Sequence, residues 1–310
     1  MAEYFVGTAG WSYEDWEGVV YPAAKPRGFH ALSYLPAFID IVEVNSTFYR
    51  PAPPAMVRSW LKRLEGRPGF LLSLKLYQAF THAREGFGRK DVDDVRRAAD
   101  LVRLGGRLAA LLVQFPWSFR NTPGNRDYLR RLLETLAGYP LAVEVRHAGW
   151  DEPSFYGLLE ERGAAFCNID QPVIGESIGP SAVSTTPDFA YVRLHGRNSK
   201  NWFREGAGRD DRYDYLYARD ELGDWVSRIE QLGRASGKVY IVANNHYRGQ
   251  AMANALQLRN MLTGEKVDVP EPLLEKYPVL RDIVRAVEAG RRGLFDEGRT
   301  GGPGDRGGTS

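Results

Sequence analysis

Charged and polar residues interrupt the apolar segments of this sequence at a spacing that suits proton transfer and anion binding. In three segments they stand two residues apart, as Glu43 with Asn45, Glu144 with Arg146, and Arg193 with His195. Side chains two residues apart in a β-strand point to the same face of the sheet. We therefore predict that acidic and basic groups from several strands meet on one face.

The residue types suggest separate roles in catalysis and binding. Glu43 and Glu144 are candidates for general acid or base, since burial and neighbouring charge can move their pKa values apart. His195 is the third proton-transfer candidate, because imidazole titrates closest to neutral pH. The candidates for ligand binding stand at strand ends or follow them: Asn45, Lys75, Gln114, Arg146, Asp170, Arg193, Asn244, Asn245, Trp11 and Tyr49.

Three of these candidates are cations, which favours a polar, anionic ligand. Lys75, Arg146 and Arg193 can hold phosphate or carboxylate oxygens, the arginines through two parallel hydrogen bonds each. The aromatic residues after the strands can stack on sugars or bases. A structural alternative stays open, in which Glu43, Glu144 and the three cations simply neutralise one another inside the protein.

Metal binding is a weaker alternative. Glu43, Glu144, Asp170 and His195 can supply carboxylate and imidazole ligands to a divalent ion. The sequence contains no H-E-x-x-H motif or similarly tight ligand spacing. No metal or other cofactor is therefore firmly implied.

Eight strand-like segments alternate with helical patterns and predict the framework that positions these residues. The strand-like segments are residues 4–9, 41–45, 70–75, 108–115, 141–146, 164–169, 189–195 and 239–244. The helical patterns cover residues 30–39, 54–64, 90–104, 125–136, 153–162, 213–234 and 250–262. Such alternation indicates an α/β protein with a parallel sheet, and eight units predict a TIM-type (β/α)8 barrel. An open doubly wound sheet is the rival, but no G-x-G-x-x-G motif follows the first strand.

Two regions depart from this alternation. Residues 171–188 are rich in Gly, Pro, Ser and Thr, so we expect the sixth helix to be reduced or absent. Residues 277–289 have a helical pattern, and we expect one barrel domain over residues 1–290 that ends with this extra helix. The Gly- and Arg-rich residues 291–310 have the composition of a disordered tail.

The overall composition restricts the possible partners and compartments. Lys plus Arg number 41 and Asp plus Glu 39, so the formal charge is only +2. Nucleic acid is thus possible but not indicated by net charge, and no apolar segment is long enough to cross a membrane. The single cysteine, Cys167, lies in an apolar segment typical of a buried thiol. We expect a cytoplasmic protein.

Several motifs together resemble the domain-of-unknown-function 72 family, also called YecE-like. They are residues 6–13, residues 42–49, Gln114-Phe115-Pro116, Glu144-Val145-Arg146, residues 191–196, and Asn244-Asn245-His246 with the residues up to 255. Ala9 stands where the family pattern has a serine, and Ala243 where it has a phenylalanine. The resemblance implies a TIM-type barrel and a pocket, but it implies no particular reaction.

Three functions remain open on the sequence. We favour a hydrolase that acts on an anionic ligand such as a phosphorylated sugar, a nucleotide or a nucleic-acid end. A glycosidase or sugar isomerase is the second alternative, because paired carboxylates with surrounding aromatic residues suit sugar chemistry. The third is a ligand-binding or regulatory barrel without catalysis, since the fold alone does not establish a reaction.

Overall fold

Eight parallel strands form a closed barrel in the computed structural model, which describes residues 2–84, 87–202, 204, 206 and 208–285. The strands are β1 (Glu3–Ala9), β2 (Ile41–Val44), β3 (Leu71–Lys75), β4 (Leu108–Gln114), β5 (Leu141–Glu144), β6 (Ala165–Asp170), β7 (Ala190–Leu194) and β8 (Lys238–Ala243). Each strand pairs with its neighbours in chain order, and β8 pairs with β1 to close the circle. The predicted TIM-type barrel is confirmed.

Helices pack around the outside of this barrel. The described α-helices are α1 (Ala31–Tyr34), α2 (Pro54–Arg63), α3 (Arg89–Leu104), α4 (Pro123–Thr135), α5 (Pro153–Glu161), α6 (Ser199–Trp202), α7 (Arg209–Arg212), α8 (Arg219–Ala235), α9 (Gln250–Thr263) and α10 (Glu271–Lys276). The prediction of one helix over residues 30–39 was wrong. α1 gives way to a 3-10 turn at Leu35–Ala37, because Pro36 has no N–H for an α-helical bond.

The segment between β6 and β7 contains no helix, as the sequence predicted. Polar side chains fasten it to β6 instead. The Asn168 amide donates to the Val183 carbonyl at 2.9 Å, and its oxygen accepts from the Val183 N–H at 2.8 Å. The Thr185 hydroxyl accepts from the Phe166 N–H at 2.8 Å. These bonds satisfy buried polar groups that a helix would not reach.

The helix predicted over residues 213–234 begins later, at Arg219. Side chains of α9 explain the delay, because they accept hydrogen bonds from the preceding backbone. Gln250 accepts from the Tyr215 N–H at 2.7 Å, and Asn254 accepts from the Tyr217 N–H at 3.1 Å. These N–H groups are held in an extended segment and do not join the helix.

The C-terminal helix predicted over residues 277–289 is wrong within the described part of that range. The structure has α10 earlier, at Glu271–Lys276, followed by a 3-10 turn at Pro278–Leu280 and an isolated bridge between Val284 and Val267. Pro278 contributes to the break, since proline lacks the N–H that an α-helix needs. Residues 286–290 and the predicted disordered tail, 291–310, lie outside the described residues.

The interior contains Cys167, which is fully buried as expected, and burial raises the pKa of its thiol well above the ordinary value. A buried, protonated thiol is a poor nucleophile. Among the helices that the structure describes, none is long and apolar enough to cross a membrane.

Candidate functional site

Glu43, Glu144 and Arg193 form a buried ion cluster inside the barrel. Arg193 Nη2 donates to Glu43 Oε1 at 2.6 Å, and Arg193 Nη1 donates to Glu144 Oε2. Both carboxylates are fully buried, and the Arg193 side chain is only 2% exposed. The contacts between β2, β5 and β7 confirm that these side chains point inward. For these three residues, the alternative of mutual neutralisation holds.

Tyr191 extends the buried ion cluster. Its hydroxyl donates to Glu43 Oε2 at 3.2 Å and lies 2.9 Å from the Ser73 hydroxyl. Burial, with the charge of Glu43, raises the pKa of Tyr191 well above its ordinary value, so the phenol keeps its proton. Tyr191 was not among the predicted site residues, although it stands two residues before Arg193 and therefore on the same face.

Arg146 contacts the same cluster from the side of the barrel mouth. Its Nε and Nη2 atoms each lie 2.9 Å from Glu144 Oε1, and its guanidinium carbon lies 5.8 Å from the centre of the Trp202 ring. The side chain is 15% exposed. Nη1 donates to none of the described residues, which leaves this donor available to a ligand.

His195 is held neutral beside Glu144. Its Nε2 lies 3.3 Å from Glu144 Oε1, and its Nδ1 lies 2.9 Å from the Asn244 side-chain nitrogen. That nitrogen can only donate, so Nδ1 accepts and Nε2 carries the proton. Burial outweighs the attraction of Glu144 and, with Arg146 and Arg193 nearby, lowers the pKa of His195 to about 3.

Glu144 remains ionised at neutral pH. Its burial alone would raise the pKa, but the charges of Arg193 and Arg146 and the contact with His195 outweigh this effect. They hold the pKa of Glu144 well below its usual range. A carboxylate in this state accepts hydrogen bonds well but is a poor general acid.

A cavity of about 750 Å³ opens above the buried ion cluster, at the C-terminal ends of the strands. Its aromatic lining consists of Trp11, Tyr13, Phe48, Tyr49, Trp60 and Tyr213. Its polar lining includes Asn45, Lys75, Arg146, Arg193, Asn244 and His246. Trp11 meets Trp60 edge to face at 6.0 Å, whereas Tyr49 stands at the rim with 68% of its surface exposed. This volume matches that of pockets for small organic ligands.

Lys75 ends β3 inside this cavity. Its Nζ lies 4.4 Å from the centre of the Phe48 ring. Burial, followed by the charge of Arg193, lowers the pKa of Lys75 to about 8, although Glu43 and Glu144 act in the opposite direction. The amine of Lys75 therefore changes its protonation state close to neutral pH.

Three predicted ligand-binding residues do not line the cavity. Asp170 accepts from Arg197 Nε at 3.0 Å and from the Trp225 indole at 2.6 Å, so it faces the helices. Asn245 donates to the Tyr215 carbonyl at 2.7 Å. Both stand one residue out of phase with the inward side chains of their strands. Gln114 is buried and donates to the carbonyl of the next residue at 2.8 Å.

The four candidate metal ligands do not form one metal site, although His195 lies beside Glu144. Within the described part of the chain, no group of three or more His, Cys, Asp or Glu side chains is placed to hold a metal ion. Asp170 faces outward, and the carboxylates of Glu43 and Glu144 are occupied by Arg193. The donor set predicted from the sequence is therefore not assembled.

Part of the cavity wall comes from a helix that the sequence analysis did not assign to the site. Met56, Ser59 and Trp60 lie in α2 and line the cavity. A helix that follows a strand starts at the end of the barrel where that strand stops, so its first turns reach the mouth. The start of α2 near Pro54 was the signal that could have identified them.

Comparison with known proteins places the chain in a family. The model for "Protein of unknown function DUF72" matches residues 5–277. UPF0759 protein YunF of Bacillus subtilis (strain 168) is 30% identical over 271 residues, which cover 83% of this chain and 94% of YunF. The crystal structure of a DUF72 family protein from Thermotoga maritima MSB8 is similar, with 34% identity, a TM-score of 0.72, and coverage of 84% of this chain and 99% of that one.

A second solved structure supports the fold alone. It is a DUF72 family protein from Enterococcus faecalis V583, with 23% identity, a TM-score of 0.74, and coverage of 87% of this chain and 98% of that one. The barrel, the motifs and these matches lead to one conclusion. The chain belongs to the DUF72 family.

Proposed function

We propose that the cavity binds a polar, anionic organic ligand, such as a phosphorylated sugar or a nucleotide, and that the protein is an enzyme acting on it. The observation that carries this proposal is Arg146, which lines the cavity and whose Nη1 has no partner among the described residues. A guanidinium in a partly buried site is a strong ligand for phosphate or carboxylate oxygens. Lys75 adds a second positive charge below about pH 8.

The remainder of the ligand would contact the aromatic walls. Trp11 and Trp60 provide indole surfaces, and Phe48 and Tyr49 extend the apolar lining to the rim. Sugars and bases both pack well on such surfaces. A cavity of about 750 Å³ suits a small molecule rather than a polymer. A nucleic acid would therefore be bound, if at all, through one terminal nucleotide.

Hydrolysis remains our preferred reaction, but the structure favours a different proton-transfer residue from those predicted from the sequence. Glu43 and Glu144 are fully buried and paired with Arg193, so they serve better as supports of the arginines than as acid or base. This pairing also removes the main argument for a glycosidase, which needs one protonated carboxyl group. Lys75, in the cavity and with a pKa of about 8, is the better candidate for proton transfer.

Binding without catalysis is the second candidate function. The observation that favours it is the same pairing, because it takes both carboxylates out of contact with a ligand. An assay for turnover separates the two functions, whereas a binding measurement alone does not.

Calorimetry with matched probes tests the proposal. AMP and ribose 5-phosphate are titrated into the protein at low salt, with adenosine and ribose as their uncharged counterparts. We expect the phosphorylated probes to bind at least tenfold more tightly. Equal affinity, or no binding by any phosphate or carboxylate probe, contradicts the anionic ligand. Release of inorganic phosphate from a bound probe supports hydrolysis; binding without any turnover supports the second candidate.

A further inference from the structure

Lys75 differs from an ordinary cation of a salt bridge. Among the described residues, no carboxylate oxygen lies within 4.0 Å of its Nζ, which instead lies over the face of the Phe48 ring. The acidic groups whose charges act on it, Glu43 and Glu144, already share Arg193. The amine therefore faces the cavity without a counter-ion of its own.

Burial, and after it the charge of Arg193, lowers the pKa of Lys75. Arg193 and Arg146 repel the ammonium, Glu43 and Glu144 attract it, and burial outweighs the attraction. His82 lies close enough for its own pKa to be lowered, to about 4, by burial and by the Lys75 charge, so it adds no positive charge at neutral pH. About a tenth of the Lys75 amine is then unprotonated at pH 7.

We propose that Lys75 forms an imine with an aldehyde or ketone group of an anionic ligand. This inference deepens the proposed function and rests on it, because Arg146 would hold the anionic group while the amine meets the carbonyl carbon. A lysine that is desolvated and next to other cations is a known type of activated amine nucleophile. The substrate class is thus narrowed to anionic carbonyl compounds.

The reaction balances without any further reagent. The lone pair of Nζ forms a bond to the carbonyl carbon, and the carbonyl oxygen takes up a proton to give a carbinolamine. Loss of that hydroxyl as water, with loss of the remaining amine proton, leaves the carbon–nitrogen double bond. One amine and one carbonyl compound give one imine and one water, and nothing is oxidised or reduced.

Lys90 provides a matched control within the same chain. Its side chain is 86% exposed, and it pairs with Asp94 in an i,i+4 ion pair. The hydrogen bond to Asp94 raises the pKa of Lys90 above the ordinary value. Lys90 is therefore accessible but poorly nucleophilic, whereas Lys75 is enclosed and activated.

Reductive trapping tests the inference. The full chain is incubated at pH 7 with pyridoxal 5′-phosphate, an anionic aromatic aldehyde, and reduced with borohydride; the modified peptide is identified by mass spectrometry. We expect one adduct per chain, with Lys75 modified at least tenfold more than any other lysine. Lys75→Met removes the adduct and Lys90→Met keeps it. The rate of modification rises with pH to a midpoint near 8.

A second aldehyde separates failure of the inference from failure of the proposed function. 5′-Deoxypyridoxal lacks the phosphate and keeps a free aldehyde, so we expect it to modify Lys75 at least tenfold less, and Arg146→Met to abolish that difference. Equal modification by both aldehydes keeps the imine and contradicts the anion site. Phosphate-probe binding in calorimetry with no preference for Lys75 among the modified lysines overturns the imine and keeps the anion site. Unchanged circular dichroism of Lys75→Met ensures that the loss is local.

Discussion

Arg193 and Arg146 contact the same carboxylate, Glu144, from different depths of the barrel. Arg193 is 2% exposed and bonds two carboxylates, so both of its terminal nitrogens are used. Arg146 is 15% exposed, shares one oxygen of Glu144, and borders the cavity with Nη1 available. The deeper arginine thus uses its hydrogen bonds inside the barrel, and the outer one is the arginine that we propose binds a ligand.

The comparison also explains why the residue type alone does not reveal the role. A buried charge is tolerated only when it is paired, and Arg193 meets this condition entirely within the protein. A charge at the mouth can leave part of its hydrogen-bonding capacity to water or to a ligand. Four substitutions, ordered by expected effect, test this division.

Arg193→Met should have the largest effect, because it leaves Glu43 buried without its arginine and leaves Glu144 paired with Arg146 alone. We expect the free energy of unfolding to fall by about 3–5 kcal/mol, measured by urea denaturation. Arg146→Met should cost no more than about 2 kcal/mol, since Glu144 keeps its bond to Arg193. Adding Glu43→Gln to Arg193→Met should restore part of the loss. Equal losses for the two arginine variants contradict the division.

Arg146→Met should weaken ligand binding more than Arg193→Met does. We expect the dissociation constant for AMP to rise by about 10- to 100-fold, which is the loss of roughly 1.4–2.8 kcal/mol of charge-assisted bonding. The dissociation constant of Arg146→Lys should lie between those of the unchanged protein and of Arg146→Met, because lysine keeps the charge but lacks the planar guanidinium fork. Calorimetry at constant salt measures all three proteins. An unchanged constant for Arg146→Met assigns the anion to another group.

His195→Gln should flatten the dependence of stability on pH below neutrality. The unfolded chain binds a proton at His195 below pH 6.5, whereas the folded chain does not until about pH 3. Stability is therefore lost as the pH falls from 6.5, by up to about 1.4 kcal/mol per pH unit. Glu144 adds to this loss only below pH 4.5, the pKa of its carboxyl group in the unfolded chain. Urea denaturation between pH 6.5 and 4.5 should show the shallower slope; parallel profiles contradict it.

Tyr49→Ala should have the smallest effect. Tyr49 is 68% exposed at the rim of the cavity, and contacts that stay in water contribute little to affinity. We expect the dissociation constant for AMP to change less than about threefold and the stability less than about 0.5 kcal/mol. Trp11→Ala, deeper in the wall, serves as the comparison. A loss for Tyr49→Ala as large as that for Trp11→Ala makes the rim part of the binding surface.

The sequence was sufficient to predict the fold because strand and helix patterns carry strong local signals. All eight strands and the absence of a helix after β6 were predicted correctly. The breaks at Pro36 and Pro278 were local signals that the helix predictions overlooked, whereas the late start of α8 is decided by distant side chains. The start of α8 depends on Gln250 and Asn254, which capture backbone N–H groups of the preceding segment, and no local pattern reveals such partners.

Prediction of the site succeeded where alternation within a strand was enough. Glu43, Glu144 and Arg193 were assigned correctly to the inner face, but their mutual pairing depends on depth, which alternation does not give. Asp170 and Asn245 lie outside the cavity, because they follow their strands one residue out of phase with the inward side chains, and their position near a strand end did not reveal this. The aromatic residue Trp60 of α2 was missed, since a helix reaches the mouth only in three dimensions.

Arg193 also joins distant parts of the polypeptide. Its two acidic partners are Glu43, 150 positions away in the first four strands, and Glu144, 49 positions away in the last four. A fragment ending after β4 would bury Glu43 with no guanidinium to meet it, and the complementary fragment would contain Arg193 with one acid missing. All ion pairs of the cluster thus form only in the complete barrel. This favours cooperative folding and makes the two halves poor candidates for independent folding.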